Sequence, residues 1–78
     1  MTLSEAKSLE RGQIIYHRYL TNYDGTPMRF KVNGRPRIWK RDTNRVCVPL
    51  KRGLYDYVIM TDFDLNKYVL TEEEAENG

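Results

Sequence analysis

Beyond residue 12, apolar and polar positions alternate along the chain. Met28, Phe30 and Val32 are separated by Arg29 and Lys31, and Val46, Val48 and Leu50 repeat the pattern. A period of two belongs to a strand with one face in a core and one in water. Residues 14–20 and 54–61 are rich in β-branched and aromatic side chains, which suit strands. Turn chemistry separates these runs at Tyr23-Asp24-Gly25-Thr26-Pro27, Asn33-Gly34, Asp42-Thr43-Asn44 and Arg52-Gly53. Residues 62–66 read as a tight connector and 68–70 as a brief last strand. Pro49 has no N–H for a ladder and is expected on an edge. Before residue 12 the period changes. Thr2 and Glu5 have the spacing of a capping box, Leu3, Ala6 and Leu9 share one face of a helix over 3–10, and Gly12 stops it. The pattern predicts one domain that is mainly β. A short N-terminal helix and lead-in occupy 1–12, a small five-stranded antiparallel barrel 13–71, and a frayed acidic tail 72–78.

The pair Asn33-Gly34 between alternating runs predicts a hairpin. A two-residue loop mixes polar and apolar residues on both faces. A three-residue loop over 32–34 pairs Lys31 with Arg35, Phe30 with Pro36 and Arg29 with Arg37. It also sorts the side chains, with Met28, Phe30, Pro36 and Ile38 on one face and Arg29, Lys31, Arg35, Arg37 and Trp39 on the other. Lateral neighbours on such a face lie about 5 Å apart, so the four cations would repel one another. A bound polyanion would relieve that repulsion. Trp39 has two readings, a platform for an unpaired base or a core residue.

Charge sharpens the picture. The formal net charge of +2 hides a segregation. Residues 29–52 hold nine Lys or Arg and one acid, Asp42, whereas residues 53–78 hold Lys67 against seven carboxylates. A basic middle third implies an anionic partner, either a nucleic acid or an acidic protein, unless the acidic end folds back and neutralises it. The tail EEEAE (72–76) would compete for the basic face if it came within about 8 Å. The candidate nucleic-acid-binding residues are Arg29, Lys31, Arg35, Arg37, Trp39, Lys40, Arg41 and Arg45, with Lys51 and Arg52 extending the field.

A chain of 78 residues buries only about 60% of its unfolded surface and has little room for a deep catalytic pocket. Its one cysteine, Cys47, excludes an intrachain disulfide and suits a reducing cytoplasm. The longest apolar run, residues 57–60, is far short of a membrane span, and the N-terminal segment lacks the pattern of a signal peptide. His17 and Cys47 are too few for a structural zinc site, and nothing local makes them a nucleophilic pair. No catalytic activity, metal or cofactor is expected.

The order of elements resembles the SH3-like barrel over residues 13–71, where a single 3₁₀ turn joins the last two strands. LERGQIIYH near the start, with LKRGLYDY and DLNKYVL near the end, resembles small proteins of tailed phages. That resemblance implies a cytosolic accessory protein, in the host-cell cytoplasm if phage-encoded. GLYDY (53–57) resembles the ALYDY signature of peptide-binding SH3 domains but follows Trp39 instead of preceding the tryptophan, and Tyr55 and Tyr57 read as core or as a stacking surface. Gly34 to Arg37 resembles part of an AT-hook, with Asn33 where the first arginine should be. Asp62, Asp64 and Asn66 open like a calcium loop, with Lys67 where a glycine is required. The leading function is a non-enzymatic nucleic-acid-binding module. The alternatives are an accessory factor that binds a host or viral protein through tyrosines and a sheet edge, and a structural component that assembles through an exposed edge strand.

Overall fold

The computed structural model describes residues 1–77. Thr2 caps α1 (Leu3–Lys7), its hydroxyl accepting the Glu5 N–H at 3.1 Å while the Glu5 carboxylate accepts the Thr2 N–H at 2.8 Å. The helix therefore starts where the capping box places it and stops three residues sooner than the sequence suggests. Ala6 and Leu9 are buried, and Leu3 packs beside them.

Six antiparallel strands follow: β1 (Ile14–Thr21), β2 (Pro27–Val32), β3 (Arg37–Ile38), β4 (Val46–Arg52), β5 (Asp56–Thr61) and β6 (Tyr68–Val69). A 3₁₀ turn over Asp62–Lys67 joins β5 to β6, and α2 (Glu72–Asn77) comes last. Across the sheet the order is β5, β4, then β2 and β3 end to end, then β1 and β6. β5 pairs only with β4 and β6 only with β1, so the sheet is not closed. The molecule is mainly β, as the sequence predicts, but it is an open six-stranded sheet where five strands in a barrel were expected. One side of the sheet carries the core, with Ile15, Phe30, Val32, Val46, Val48, Leu50, Met60 and Tyr68 all buried, while Val69, in line with Tyr16 and Arg29, is buried on the other side. Each large apolar side chain removed from water there contributes roughly 1.5–3 kcal/mol. No helix among the described residues is long and apolar enough to cross a membrane.

The predicted hairpin at Asn33-Gly34 does not form. Lys31 and Val32 lie opposite Lys51 and Leu50, and Arg37 and Ile38 lie opposite Cys47 and Val46. The chain thus runs on past β4 in one direction. Residues 33–36 face only Val48 and Pro49, a bulge of two extra residues. Pro49 explains it. β4 is central, not an edge, and a proline within it leaves a gap in the ladder on the side of β2 and β3. The Pro49 carbonyl still accepts the Asn33 N–H at 2.8 Å, and Gly34 lies against the proline ring, where a Cβ would come within 3.0 Å of Cγ. The glycine allows this close approach without displacing the ring, and it is not among the glycines with positive φ. The hairpin that does form here joins β3 to β4 through residues 39–45.

The β4–β5 hairpin sets Arg52 opposite Asp56, with Gly53 at φ +70° opening a three-residue loop. The strand expected from residue 54 therefore starts at Asp56. The acidic segment expected to fray is helical, and Ala75 is buried against the strands. Thr71 caps it by accepting the Glu74 N–H at 3.2 Å.

Candidate nucleic-acid interface

The side of the sheet away from the core carries most of the predicted residues. Cys47, Pro49 and Lys51 alternate with buried Val46, Val48 and Leu50, so they point outward. Their neighbours on either side form four rows. Lys31, Lys51 and Tyr57 make the first row. Pro49 and Ile59 make the second, Arg37, Cys47 and Thr61 the third. Arg35 joins the middle rows in a shallow recess of about 250 Å³ with Arg37, Cys47, Pro49 and Ile59. The fourth row is Trp39, Arg45 and Phe63, in which the Arg45 guanidinium lies 5.6 Å from the Trp39 ring centre and 5.4 Å from that of Phe63. Successive rows along β4 are about 6.7 Å apart.

The expected face is therefore present, but built differently. Lys31 and Arg37 share it because the bulge preserves the side, not because a hairpin folds one over the other. They are separated by four positions of β4, about 13 Å, so the crowding of Arg29, Lys31, Arg35 and Arg37 does not arise. The like-charge pair that does occur is Lys31 beside Lys51. Arg29 alternates with buried Phe30 on β2, opposite Tyr16, and extends the basic line beyond the first row. Lys40 and Arg41 are exposed in the loop that follows Trp39. Trp39 is at the surface, 42% exposed, and so is not a core residue. Ile38, expected to face inward with Met28, Phe30 and Pro36, is 42% exposed, because β3 ends after two residues at the margin of the core.

Two of the basic residues are already engaged. Arg45 Nε donates to Asp62 Oδ1 at 3.1 Å, and Arg52 Nη2 donates to Asp56 Oδ2 at 2.7 Å. Burial pushes the Asp62 carboxyl up, but the Val46 N–H and the Arg45 guanidinium outweigh it and hold it below its ordinary range. Arg29, Lys31, Arg35, Arg37, Lys40, Arg41 and Lys51 have no acidic partner among the described residues. The glutamates of α2 form no ion pair with them, because α2 docks on β1 and β6.

The other candidate motifs have structural duties. Asp62 braces β4, and Asp64 accepts the Thr61 N–H at 3.0 Å and pairs with Lys67, so the calcium-like spacing serves to cap the 3₁₀ turn. His17 is buried, and its Nδ1 accepts the N–H groups of Tyr19 and Leu20 at 3.0 and 2.9 Å. It points to the core while Cys47 points outward, on strands separated by β2, so they make no catalytic pair.

Sequence reasoning left Tyr57 between core and a stacking surface, and it missed Ile59 and Phe63 as members of this face. Alternation in β5 would have grouped Tyr57 with Ile59. Phe63 had no local signal, since the 3₁₀ turn alone brings it beside Arg45. Comparison with protein-family models, curated proteins and solved structures finds no match to this chain.

Proposed function

We propose that the protein is a non-enzymatic nucleic-acid-binding module and that the outer face of β4 and its neighbours is the contact surface. The observation that carries this reading is the line of Arg29, Lys31, Lys51, Arg35 and Arg37, exposed or half-exposed, without acidic partners and beside open aromatic rings. Phosphates neutralised by such a line release counterions, which makes affinity steeply salt-dependent. Lys40 and Arg41 extend the field from the loop. Arg45 positions Trp39 and Phe63 and is itself neutralised by Asp62.

The experiment is fluorescence anisotropy of labelled DNA and RNA at about 50 and 200 mM salt, with Arg35→Glu/Arg37→Glu beside the native chain. Micromolar binding that weakens steeply with salt and is lost in the variant is the expected result. Binding absent at the lower salt, or equal in the variant, overturns the reading.

A second reading rests on a separate observation. β5 has a free edge, its outward side chains Tyr57 and Ile59 are exposed, and Tyr55 stands exposed beside them. An accessory protein of the tailed-phage kind would add a partner's strand at that edge. The order of strands, with one 3₁₀ turn before a short last strand, supports an opened form of the SH3-like layout. The segments that carry the phage resemblance hold Leu9, Ile15, His17, Tyr68 and Val69, which are core residues, so that likeness speaks for the fold before it speaks for the partner.

A further inference from the structure

We infer that the ligand of this face is a single-stranded nucleic acid, laid along β4 with its bases against Tyr57, Ile59 and Phe63 and its phosphates along Lys31, Lys51, Arg35 and Arg37. This rests on the nucleic-acid reading above and narrows it. Cations alone would not distinguish a duplex from a single strand. The apolar half of the face does. Tyr57, Ile59 and Phe63 are 62%, 54% and 76% exposed, on a side of the sheet that has no role in the core. Pro49 lies between Ile59 and the basic line. Exposed apolar surface rimmed by charge marks a contact site.

A duplex presents phosphates outward and keeps its base faces stacked inside. Against this face it would satisfy the cations and press the rings onto charged backbone. A single strand offers both surfaces at once, with open base faces to one side and phosphates to the other. Every base has a π-face, so such stacking tolerates any sequence. The two halves of the face are laid out to match. Basic side chains come from β2, β3, the residues leading into β3 and, for Lys51, the end of β4, and apolar ones come from β5 and the turn after it. Both aromatic rings of the apolar half already lie beside a cation, as Trp39 does: Lys51 Nζ is 5.7 Å from the Tyr57 ring centre, and the Arg45 guanidinium is close to Phe63. Lys51 is held by no carboxylate among the described residues, so it can turn to a phosphate as a base covers Tyr57. From the Lys51 row to the Arg45 row is about 20 Å along β4. Four rows over that span suit roughly four nucleotides, the low end for small β modules.

The test measures anisotropy with labelled single-stranded DNA and RNA of mixed sequence, about a dozen nucleotides long, and with the duplex of each. Native protein is compared with Tyr57→Ala, Phe63→Ala, Tyr57→Phe and Arg35→Glu/Arg37→Glu. Tyr57 and Phe63 are exposed, so circular dichroism should show each variant folded. The expected result is single strands bound at least about tenfold tighter than duplexes, each alanine weakening the single strand roughly five- to a hundredfold, and Tyr57→Phe binding like the native chain. Quenching of Trp39 on binding would follow the same order. The DNA and RNA arms show whether the sugar matters. Duplex bound as tightly as single strand, with the alanines silent and the arginine variant dead, overturns this inference and leaves the nucleic-acid reading standing. No binding by any nucleic acid overturns both.

Discussion

An imidazole nitrogen that accepts two backbone N–H bonds has no room for a proton. His17 Nδ1 does this for Tyr19 and Leu20, where β1 loses register with β2 between Tyr16 and Thr21. The ring is also stacked edge-on to Tyr68 at 4.9 Å. Desolvation, with Lys67 nearby, holds its pKa below the ordinary 6.5. A base whose folded pKa is depressed loses stability as pH falls below its unfolded value. The urea midpoint should therefore drop between pH 7.5 and pH 5.5, and the drop should be smaller in His17→Gln. The Met1 ammonium, also lowered by desolvation, adds a slope of the same sign nearer pH 8, so the difference between the two chains is the informative quantity. A second residue-scale test concerns Gly53. At φ +70° a side chain is strained, so Gly53→Ala should cost about 1–2 kcal/mol in chemical denaturation although nothing lies within 4 Å to clash with it.

Among the elements, those with strong local grammar were readable. The capping box placed α1, and the alternation of β2 and β4 named Phe30, Val32, Val46, Val48 and Leu50 as core. Asn33-Gly34 misled because its chemistry serves a hairpin or a bulge equally well. The choice was made by Pro49, sixteen residues away, and periodicity carries no information across such a distance. Phe63 has the same lesson at the site, since Arg45, which brings it toward Trp39, lies in the loop between β3 and β4 and eighteen residues before it. The acidic end was misread because its charge dominates a short segment. Only Ala75 faces the strands, and one alanine makes a faint pattern. Truncation after Thr71 should lower stability by about 1 kcal/mol, the size of a lost cap or small contact. Denaturant unfolding of the shortened chain measures this. Affinity for nucleic acid should change little, because α2 lies over β1 and β6 and not on the rows of β4.

For the whole molecule, charge and shape are divided by the sheet. One side is a closed core and the other a basic and aromatic plane, with the acidic helix at the far margin. A net charge of +2 would not by itself attract a polyanion strongly, so the attraction must come from local density. If about five phosphates are engaged, the slope of log affinity against log salt should be near −3.5 for a single strand and nearer −4.5 for a duplex. A slope close to zero would show that the plane is not the contact.

The bulge at residues 33–36 and the proline opposite it also bear on inheritance. Neither makes sense without the other: the proline leaves a gap that the extra residues fill, and the extra residues need a strand with nothing to donate at that point. Pro49→Val alone should gain little, since the new N–H would face a loop and not a ladder. Deleting two residues of the bulge alone should press a regular strand onto a proline ring. Made together, the two changes should restore an uninterrupted ladder. Descendants and cousins of this chain are therefore expected to keep both features or lose both, with any β-branched residue at position 49 accompanied by a two-residue shortening upstream.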